Sequence, residues 1–219
     1  MALVGHSAGG WIARILLGGE AYQGVRYVRS GLVHTLLTLG TPHASIEAYP
    51  FGRAQEMLTG AHLDQAPAGV RGSSLQFANH FYPAAASLGG VRVVCACGDA
   101  IRGRALWGAG GSSSSSSSTA GDSDADAGSS SGSGDGITKW DRYFAYESYK
   151  SGCGRGDVDG DGVTPLCISQ LPGAEELVLP GVWHSPRRKA GQLWYGDAAV
   201  QQQWQQYLLE PQGSAVGSG

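Results

Sequence analysis

The sequence predicts an α/β fold in which helices flank a mostly parallel sheet. Two short apolar runs typical of buried strands, residues 32–39 and 91–97, are each bounded by glycine. Apolar residues recur at helical spacing before them, within residues 11–17. Strands that alternate with helices indicate a parallel sheet, because a crossover connection returns the chain before the next strand begins. The length of 219 residues fits one domain.

The first elements follow from local patterns. Residues 1–4 are apolar and are predicted to be the end of a buried strand. In the helix predicted for residues 11–17, the pairs Trp11/Ile15 and Ile12/Leu16 stack apolar groups at i, i+4. Gly18-Gly19 is expected to end this helix, because glycine accepts a left-handed backbone.

The same patterns predict the later elements. These are a short helix at residues 73–81, a helix at 141–150, a strand at 176–179 and a C-terminal helix at 198–209. The inner face of the last helix is expected to carry Val200, Trp204, Tyr207 and Leu208.

One low-complexity segment divides the predicted core. Residues 109–136 contain almost only glycine, serine, alanine and aspartate. Such a segment has too little apolar surface to offset its ordering entropy, so a disordered insertion is expected. Residues 1–108 then form the first part of the core and residues 137–210 the last part, followed by a disordered tail at 211–219.

Charge and cysteine content exclude several classes of function. The net charge is −3 without a basic stripe, which disfavours nucleic-acid binding. No apolar run approaches the roughly 20 residues of a membrane span. The spacing of the cysteines is not that of a zinc site or a thioredoxin-like motif. Cys95 and Cys97 are predicted to be buried free thiols, and a Cys153–Cys167 disulfide stays open as an alternative.

The strongest motif is Gly5-His6-Ser7-Ala8-Gly9-Gly10, between a strand and a helix. A sharp turn there would lift Ser7 above the sheet, with small residues two before and two after it where the backbone is crowded. A serine hydroxyl becomes a nucleophile when it is exposed and a base removes its proton. The motif therefore predicts Ser7 as a nucleophile and the Ala8 N–H as an oxyanion donor at the helix N-terminus. The alternative is a glycine-rich turn with an incidental serine.

A second motif, Leu39-Gly40-Thr41-Pro42-His43, ends the next strand. Together the two motifs resemble the lipase-like α/β-hydrolases that include the GPI inositol-deacylase group, most closely its plant and algal members. The other stretches that carry the resemblance are YKSGCG at 149–154, GDGVTP at 160–165, LPGA at 171–174, GVWHSP at 181–186 and WYG at 194–196. Residues 54–90 and the insertion match weakly or not at all.

The resemblance implies the C-terminal part of an α/β-hydrolase fold, with Ser7 as nucleophile, Asp161 as acid and His184 as base. The chain order Ser, Asp, His is the one expected for this fold. Asp161 also lies in a glycine loop, and His184 follows the strand at 176–179, where sites of open α/β sheets form. A lipid or other hydrophobic ester is the implied substrate, with peripheral membrane association and a plastid or endomembrane location. The mechanism requires no metal or organic cofactor.

Other residues compete for these roles. Asp99 closely follows the strand at 91–97, where many hydrolases keep their acid. His43 follows a strand directly and could line the pocket, although a hydrogen-bonded structural histidine is the expectation. His6 is expected to point away from Ser7, because the two are adjacent.

Asp157, Asp159 and Asp161-Gly162 imitate the start of a calcium-binding loop. An EF-hand needs a carboxylate at loop position twelve, which is Ile168 here, and Pro165 interrupts the loop. Calcium binding is therefore disfavoured, and the two flanking aspartates stay as neighbours of the predicted acid.

Only about four residues precede the predicted elbow, whereas this fold places several strands and a second oxyanion loop before it. The sequence thus predicts half a sheet with an exposed edge and an incomplete oxyanion hole. Three interpretations stay open: an ester hydrolase, a lipid acyltransferase with the same triad, and a non-catalytic remnant that serves as a binding piece.

Overall fold

A computed structural model describes residues 1–47, 72–106, 136–189 and 191–209. The strands are Ala2–His6 (β1), Thr35–Leu39 (β2), Arg92–Gly98 (β3), Ile101–Arg102 (β4), Asp159–Gly160 (β5), Glu175–Leu179 (β6), Val182–Trp183 (β7) and Leu193–Trp194 (β8). The α-helices are Gly9–Leu17 (α1), Ser74–Phe81 (α2), Lys139–Cys153 (α3) and Ala198–Trp204 (α4). Short 3-10 helices span Ser30–Leu32, Ala85–Leu88, Leu166–Ile168 and Gln205–Leu208. No helix within the described ranges is long and apolar enough to cross a lipid bilayer.

Four strands form one parallel sheet in the order β1-β2-β3-β6. The inner strands β2 and β3 are almost wholly buried, whereas β1 has a neighbour on one side only and leaves Val4 41% exposed. The predicted α/β class with a mostly parallel sheet is therefore confirmed, and β1 forms the expected exposed edge. The prediction that residues 1–4 belong to a buried strand is wrong, because a parallel strand is buried only where neighbours and helices cover it.

Helices cover both faces of this sheet. Successive side chains of a strand point to opposite faces, so Leu36 packs into a cluster with Trp11 of α1 and Leu75 of α2. Leu37 packs on the other face, with Val200 of α4. Truncating one of these fully buried leucines to alanine would cost about 2–5 kcal/mol. The two clusters fix the strand ends that carry the candidate site.

The first helix differs from its prediction on one face and at its end. Trp11 and Ile15 are buried, but Ile12 is 53% exposed, so the Ile12/Leu16 pair does not share the buried face. Gly18 ends the helix with extended backbone, at φ −73° and ψ 171°, and not in the left-handed conformation expected. Glycine is required there because a Cβ would lie 1.9 Å from the Tyr82 ring.

The remaining main elements lie close to their predicted positions, with α2, β2, β3 and β6 within three residues of the expected bounds. Helix α3 is longer than predicted. Its N-terminus is fixed by a capping box in which Thr138 and Asp141 exchange hydrogen bonds. The C-terminal helix ends at Trp204 and continues as a 3-10 turn, and its four predicted inward residues pack against the core.

All four cysteines are free thiols, with Cys95 and Cys97 buried as predicted. The alternative disulfide between Cys153 and Cys167 is therefore not formed. The predicted insertion at 109–136, apart from Gly136, and the predicted tail at 211–219 lie outside the described residues.

Candidate active site

The turn between β1 and α1 has the geometry of a nucleophile elbow. Ser7 adopts φ 53°, a left-handed backbone that non-glycine residues rarely occupy and that costs about 1–3 kcal/mol. A Cβ on Gly5 would lie 2.7 Å from the backbone nitrogen of Gly10, so glycine is required two residues before the serine. The crowded position after the serine is Gly10, against Thr41, and not Gly9 as expected, because a Cβ on Gly9 would meet nothing within 4 Å.

The end of β2 holds this turn in place. The Ser7 N–H donates to the Leu39 carbonyl at 2.9 Å, and the Thr41 hydroxyl donates to the Ser7 carbonyl at 2.7 Å. The Ser7 side chain is 8% exposed. Two hydrogen bonds to one neighbouring segment therefore keep the strained backbone in a single conformation.

Asp161 and His184 form a buried pair at the same edge of the sheet. Asp161 Oδ2 lies 2.7 Å from His184 Nδ1, and the two side chains are 0% and 4% exposed. The other carboxylate oxygen, Oδ1, accepts the N–H groups of Val163 and Thr164. The His184 N–H also donates to the Asp161 carbonyl at 2.8 Å. The loop that follows β5 is therefore joined to the loop that follows β7 by both backbone and side chain.

The tautomer of His184 follows from this pairing. An ionised carboxylate only accepts hydrogen bonds, so Nδ1 carries the hydrogen that is donated to Asp161. Nε2 of the neutral ring is then an acceptor. It is buried and has no hydrogen-bond partner among the described residues. His184 thus presents a vacant basic nitrogen, as a general base requires.

The Gly40 backbone lies between the serine turn and this pair. Gly40 follows Leu39, which binds Ser7, and a Cβ on Gly40 would lie 2.5 Å from Asp161 Oδ2 and 3.0 Å from His184 Nδ1. Ser7, Asp161 and His184 are therefore gathered at the carboxyl edge of the parallel sheet. The Ser7 hydroxyl and His184 Nε2 are not hydrogen-bonded to each other in this structure. Such bonds are often long without substrate.

The competing acid, Asp99, lies elsewhere. Its Oδ1 accepts the Gly181 N–H at 2.8 Å, which holds the turn between β6 and β7. The aspartates next to Asp161 are also engaged separately, because Asp159 pairs with Arg102 and Asp157 lies near Arg155.

These carboxylates do not converge on a common point, which removes the resemblance to a calcium loop. Within the described ranges, the structure contains no group of three or more histidine, cysteine, aspartate or glutamate side chains that could hold a metal ion.

His43 is a structural histidine, as expected. It is 2% exposed and lies between Arg14, whose Nη1 donates to Nδ1 at 3.3 Å, and Thr38, whose hydroxyl is 3.2 Å from Nε2. Burial first, and the Arg14 charge second, lower the pKa of His43 from 6.5 to about 3. Arg14 is fully buried and donates to the carbonyls of Ala78 and Tyr82, where the negative end of the α2 dipole stabilises its charge.

His6 lies beside the candidate base. Its ring centroid is 4.7 Å from that of His184, and its Nε2 donates to the His184 carbonyl at 2.9 Å. Burial, and then the nearby His184, lower the pKa of His6. His6 therefore supports the loop that carries His184, a contact that adjacency to Ser7 did not indicate.

Tyr195 is the site residue that sequence reasoning missed. Its hydroxyl donates to Asp161 Oδ2 at 2.7 Å and accepts the Gly98 N–H at 2.9 Å. The only sequence signal was the Trp194-Tyr195-Gly196 stretch, which contributed to the family resemblance without suggesting a role.

The backbone N–H predicted as an oxyanion donor lies at the start of α1. Ala8 is the N-cap residue, and its N–H donates no hydrogen bond to the described residues. A free N–H at a helix N-terminus favours negative charge.

A cavity of about 270 Å³ adjoins the pair. Its walls include Asp161, His184, Phe144, Trp183, Val163 and Arg187. Arg187 stacks 4.2 Å from the Trp183 ring centroid and pairs with Asp141, so its charge is balanced.

Comparisons with protein-family models, with curated proteins and with solved structures found no match to this chain.

Proposed function

We propose that this protein is a serine hydrolase of the α/β-hydrolase type that cleaves ester bonds. The observation that carries the proposal is the buried Asp161–His184 pair, which lies next to a strained serine turn and leaves His184 Nε2 vacant. A backbone at φ 53° is costly for serine, and such strain is typical of catalytic residues.

Each group has a defined task in the proposed reaction. The Ser7 hydroxyl attacks the ester carbonyl carbon while its proton passes to His184 Nε2, and Asp161 stabilises the resulting imidazolium. The Ala8 N–H binds the oxyanion. Collapse of the tetrahedral intermediate releases the alcohol, which takes the proton from Nε2 and leaves an acyl-enzyme. Water then attacks the acyl carbon and gives a proton to the same nitrogen. Collapse of this second tetrahedral intermediate returns that proton to the Ser7 oxygen and releases the carboxylic acid.

The cavity beside His184 supports a hydrophobic ester, such as a lipid, as the substrate. Phe144, Trp183 and Val163 supply apolar and aromatic surface there, beside the paired charges of Asp141 and Arg187.

Labelling with a fluorophosphonate probe tests the nucleophile. We expect the folded wild-type chain to be labelled and Ser7→Ala to remain unlabelled. Ser169→Ala is a matched control, because Ser169 is also buried but its hydroxyl donates to the Leu166 carbonyl and accepts from the Gln170 amide. Folded wild-type protein that reacts neither with the probe nor with short or long p-nitrophenyl esters would refute the proposal and favour the non-catalytic interpretation.

Product analysis separates hydrolysis from acyl transfer. Both reactions pass through the same acyl-enzyme and differ in whether water or an alcohol attacks it. Free carboxylic acid as the main product in the presence of a long-chain alcohol would support the hydrolase. A new ester as the main product would instead assign the acyltransferase reaction to the same three residues.

A further inference from the structure

Tyr195 occupies a fully buried position against the carboxylate of the candidate triad. The residue is 1% exposed, and its hydroxyl accepts the Gly98 N–H from the end of β3. The hydroxyl hydrogen then points to Asp161 Oδ2 at 2.7 Å, the same oxygen that His184 Nδ1 approaches. Burial, and then the charge of Asp161, raise the pKa of Tyr195, so the phenol stays protonated and remains a donor.

The Asp161 carboxylate therefore receives four hydrogen bonds. Two backbone N–H groups, from Val163 and Thr164, bind Oδ1, while Tyr195 and His184 bind Oδ2. A carboxylate held from both oxygens cannot rotate about its χ2 bond without losing several of these contacts at once. Hydrogen bonds to the charged form also favour an ionised carboxylate. The tyrosine thus helps to fix the orientation of the Asp161 carboxylate.

We propose that Tyr195 is a positioning residue that holds the Asp161 carboxylate in line with His184 and limits its basicity. This inference rests on the proposed function for its catalytic meaning, but the effect on the Asp161–His184 pair can be measured without any activity. The Tyr195 hydroxyl contacts Asp161 Oδ2, the oxygen that His184 Nδ1 also approaches, and its two hydrogen bonds go to Asp161 and to the Gly98 N–H, so it acts through the acid.

The C-terminal segment places Tyr195 at this position. Asp197 accepts the Trp194 N–H at 2.7 Å, and the Trp204 indole of α4 donates to the Tyr195 carbonyl at 3.0 Å. Gly196 permits the turn because a Cβ there would lie 2.2 Å from the Trp194 ring. Helix α4 thereby contributes to the site although none of its own residues reaches it.

Other titratable or charged groups also face the pair. His6 from β1, Cys97 from β3 and Tyr149 from α3 interact electrostatically with it. Asp141 and Arg187 pair with each other across the adjoining cavity. Burial, the first cause in each case, raises the pKa of Cys97 and Tyr149, so both are neutral near pH 7. Tyr195→Phe leaves all five groups in place, whereas the control variant Tyr149→Phe removes the hydroxyl of one of them.

Tyr149→Phe is a matched control for Tyr195→Phe. Tyr149 is also fully buried, and its hydroxyl likewise accepts a backbone N–H, from Gly162, and donates to an oxygen, the Ile101 carbonyl. Each substitution removes one phenol oxygen and two hydrogen bonds. Only Tyr195→Phe removes a donor to the carboxylate, so a difference between the variants reports that contact.

The test is an NMR titration of the His184 ring in the full chain, alongside pH profiles of kcat and KM. A carboxylate with one donor fewer is more basic and stabilises the imidazolium better. We therefore expect Tyr195→Phe to raise the His184 pKa by about 0.5–1 unit, and Tyr149→Phe to leave it within about 0.2 unit. Residues that orient metal-bound histidines in other proteins offer an analogy, because their loss costs about 10- to 100-fold in activity. We therefore expect Tyr195→Phe to lower kcat about tenfold with KM nearly unchanged.

A second measurement covers the case in which Tyr195→Phe does not fold. Replacing Tyr195 by 3-fluorotyrosine makes its phenol a stronger hydrogen-bond donor to Asp161. The His184 pKa should then fall, whereas Tyr195→Phe should raise it. If both variants leave the His184 titration where wild type has it, or if the control shifts it equally, the inference is overturned. If Tyr195→Phe shifts the His184 titration as expected but the wild-type protein has no esterase activity, the proposed function is refuted and the role of Tyr195 is supported.

Discussion

Acidification should destabilise this protein through His43, which is buried in the core between Arg14 and Thr38. Its pKa is lowered to about 3 from the ordinary 6.5, by burial first and by Arg14 second. Between these two values the unfolded chain binds a proton that the folded chain does not. The free energy of unfolding is therefore unaffected by His43 above about pH 6.5 and falls progressively as the pH is lowered toward 3.

The size of the effect follows from the shift. At 1.36 kcal/mol per pH unit, lowering the pH from 7.5 to 5.0 should remove about 2 kcal/mol of unfolding free energy through this residue. For a domain of this size the loss corresponds to roughly 4–8 °C in Tm. His6, whose pKa is also lowered, contributes with the same sign, so the wild-type pH dependence alone does not isolate His43.

His43→Gln isolates the residue. A glutamine carbonyl can accept from Arg14 while its amide donates to Thr38, which reproduces the neutral imidazole without a titrating group. Urea unfolding of both proteins at the two pH values gives the difference. We expect wild type to lose about 2 kcal/mol more than His43→Gln on acidification. Equal losses within about 0.5 kcal/mol would show that His43 is not held neutral by burial beside Arg14.

Two further predictions use matched pairs of variants. Asp161→Asn should lower kcat by about 10³–10⁴-fold, because an amide no longer stabilises the imidazolium or sets its tautomer. Asp99→Asn should change kcat less than about twofold, since an amide oxygen can still accept the Gly181 N–H. Comparable losses in the ester-hydrolysis rate of the two variants would remove the assignment of Asp161 as the acid. Gly18→Ala should destabilise the fold by about 1–3 kcal/mol, because the added Cβ meets the Tyr82 ring. In Gly19→Ala the added Cβ meets nothing within 4 Å, so the urea midpoint should change little. An unchanged urea midpoint for Gly18→Ala would show that the Tyr82 ring moves aside at no cost in stability.

Patterns in consecutive residues predicted the inner strands and the serine turn. The two inner strands follow from apolar runs bounded by glycine, and their burial on both faces is what such runs predict. The serine turn was predictable from Gly5, which the close approach of the Gly10 backbone requires, whereas the crowding after the serine falls on Gly10 beside Thr41 and not on Gly9. Which side of α1 is exposed was not predictable. Apolar residues lie on two adjoining faces of this helix, and the elements packed against it decide which face is buried.

The site beyond the serine depended on tertiary structure. Asp99 and Asp161 both lie in loops near strand ends, and sequence alone left both as candidates for the acid. The strand order and the pairing of β4 with β5 bring Asp161 to His184, while Asp99 turns to Gly181. Tyr195 reaches Asp161 across 34 positions of sequence because α4 folds back onto the sheet. The sequence by itself therefore determined the four strands of the main sheet and the position of the serine turn, whose pattern lies in consecutive residues. Only the tertiary structure decided which carboxylate, imidazole and phenol meet, because hydrogen bonds between distant loops depend on how the sheet is assembled.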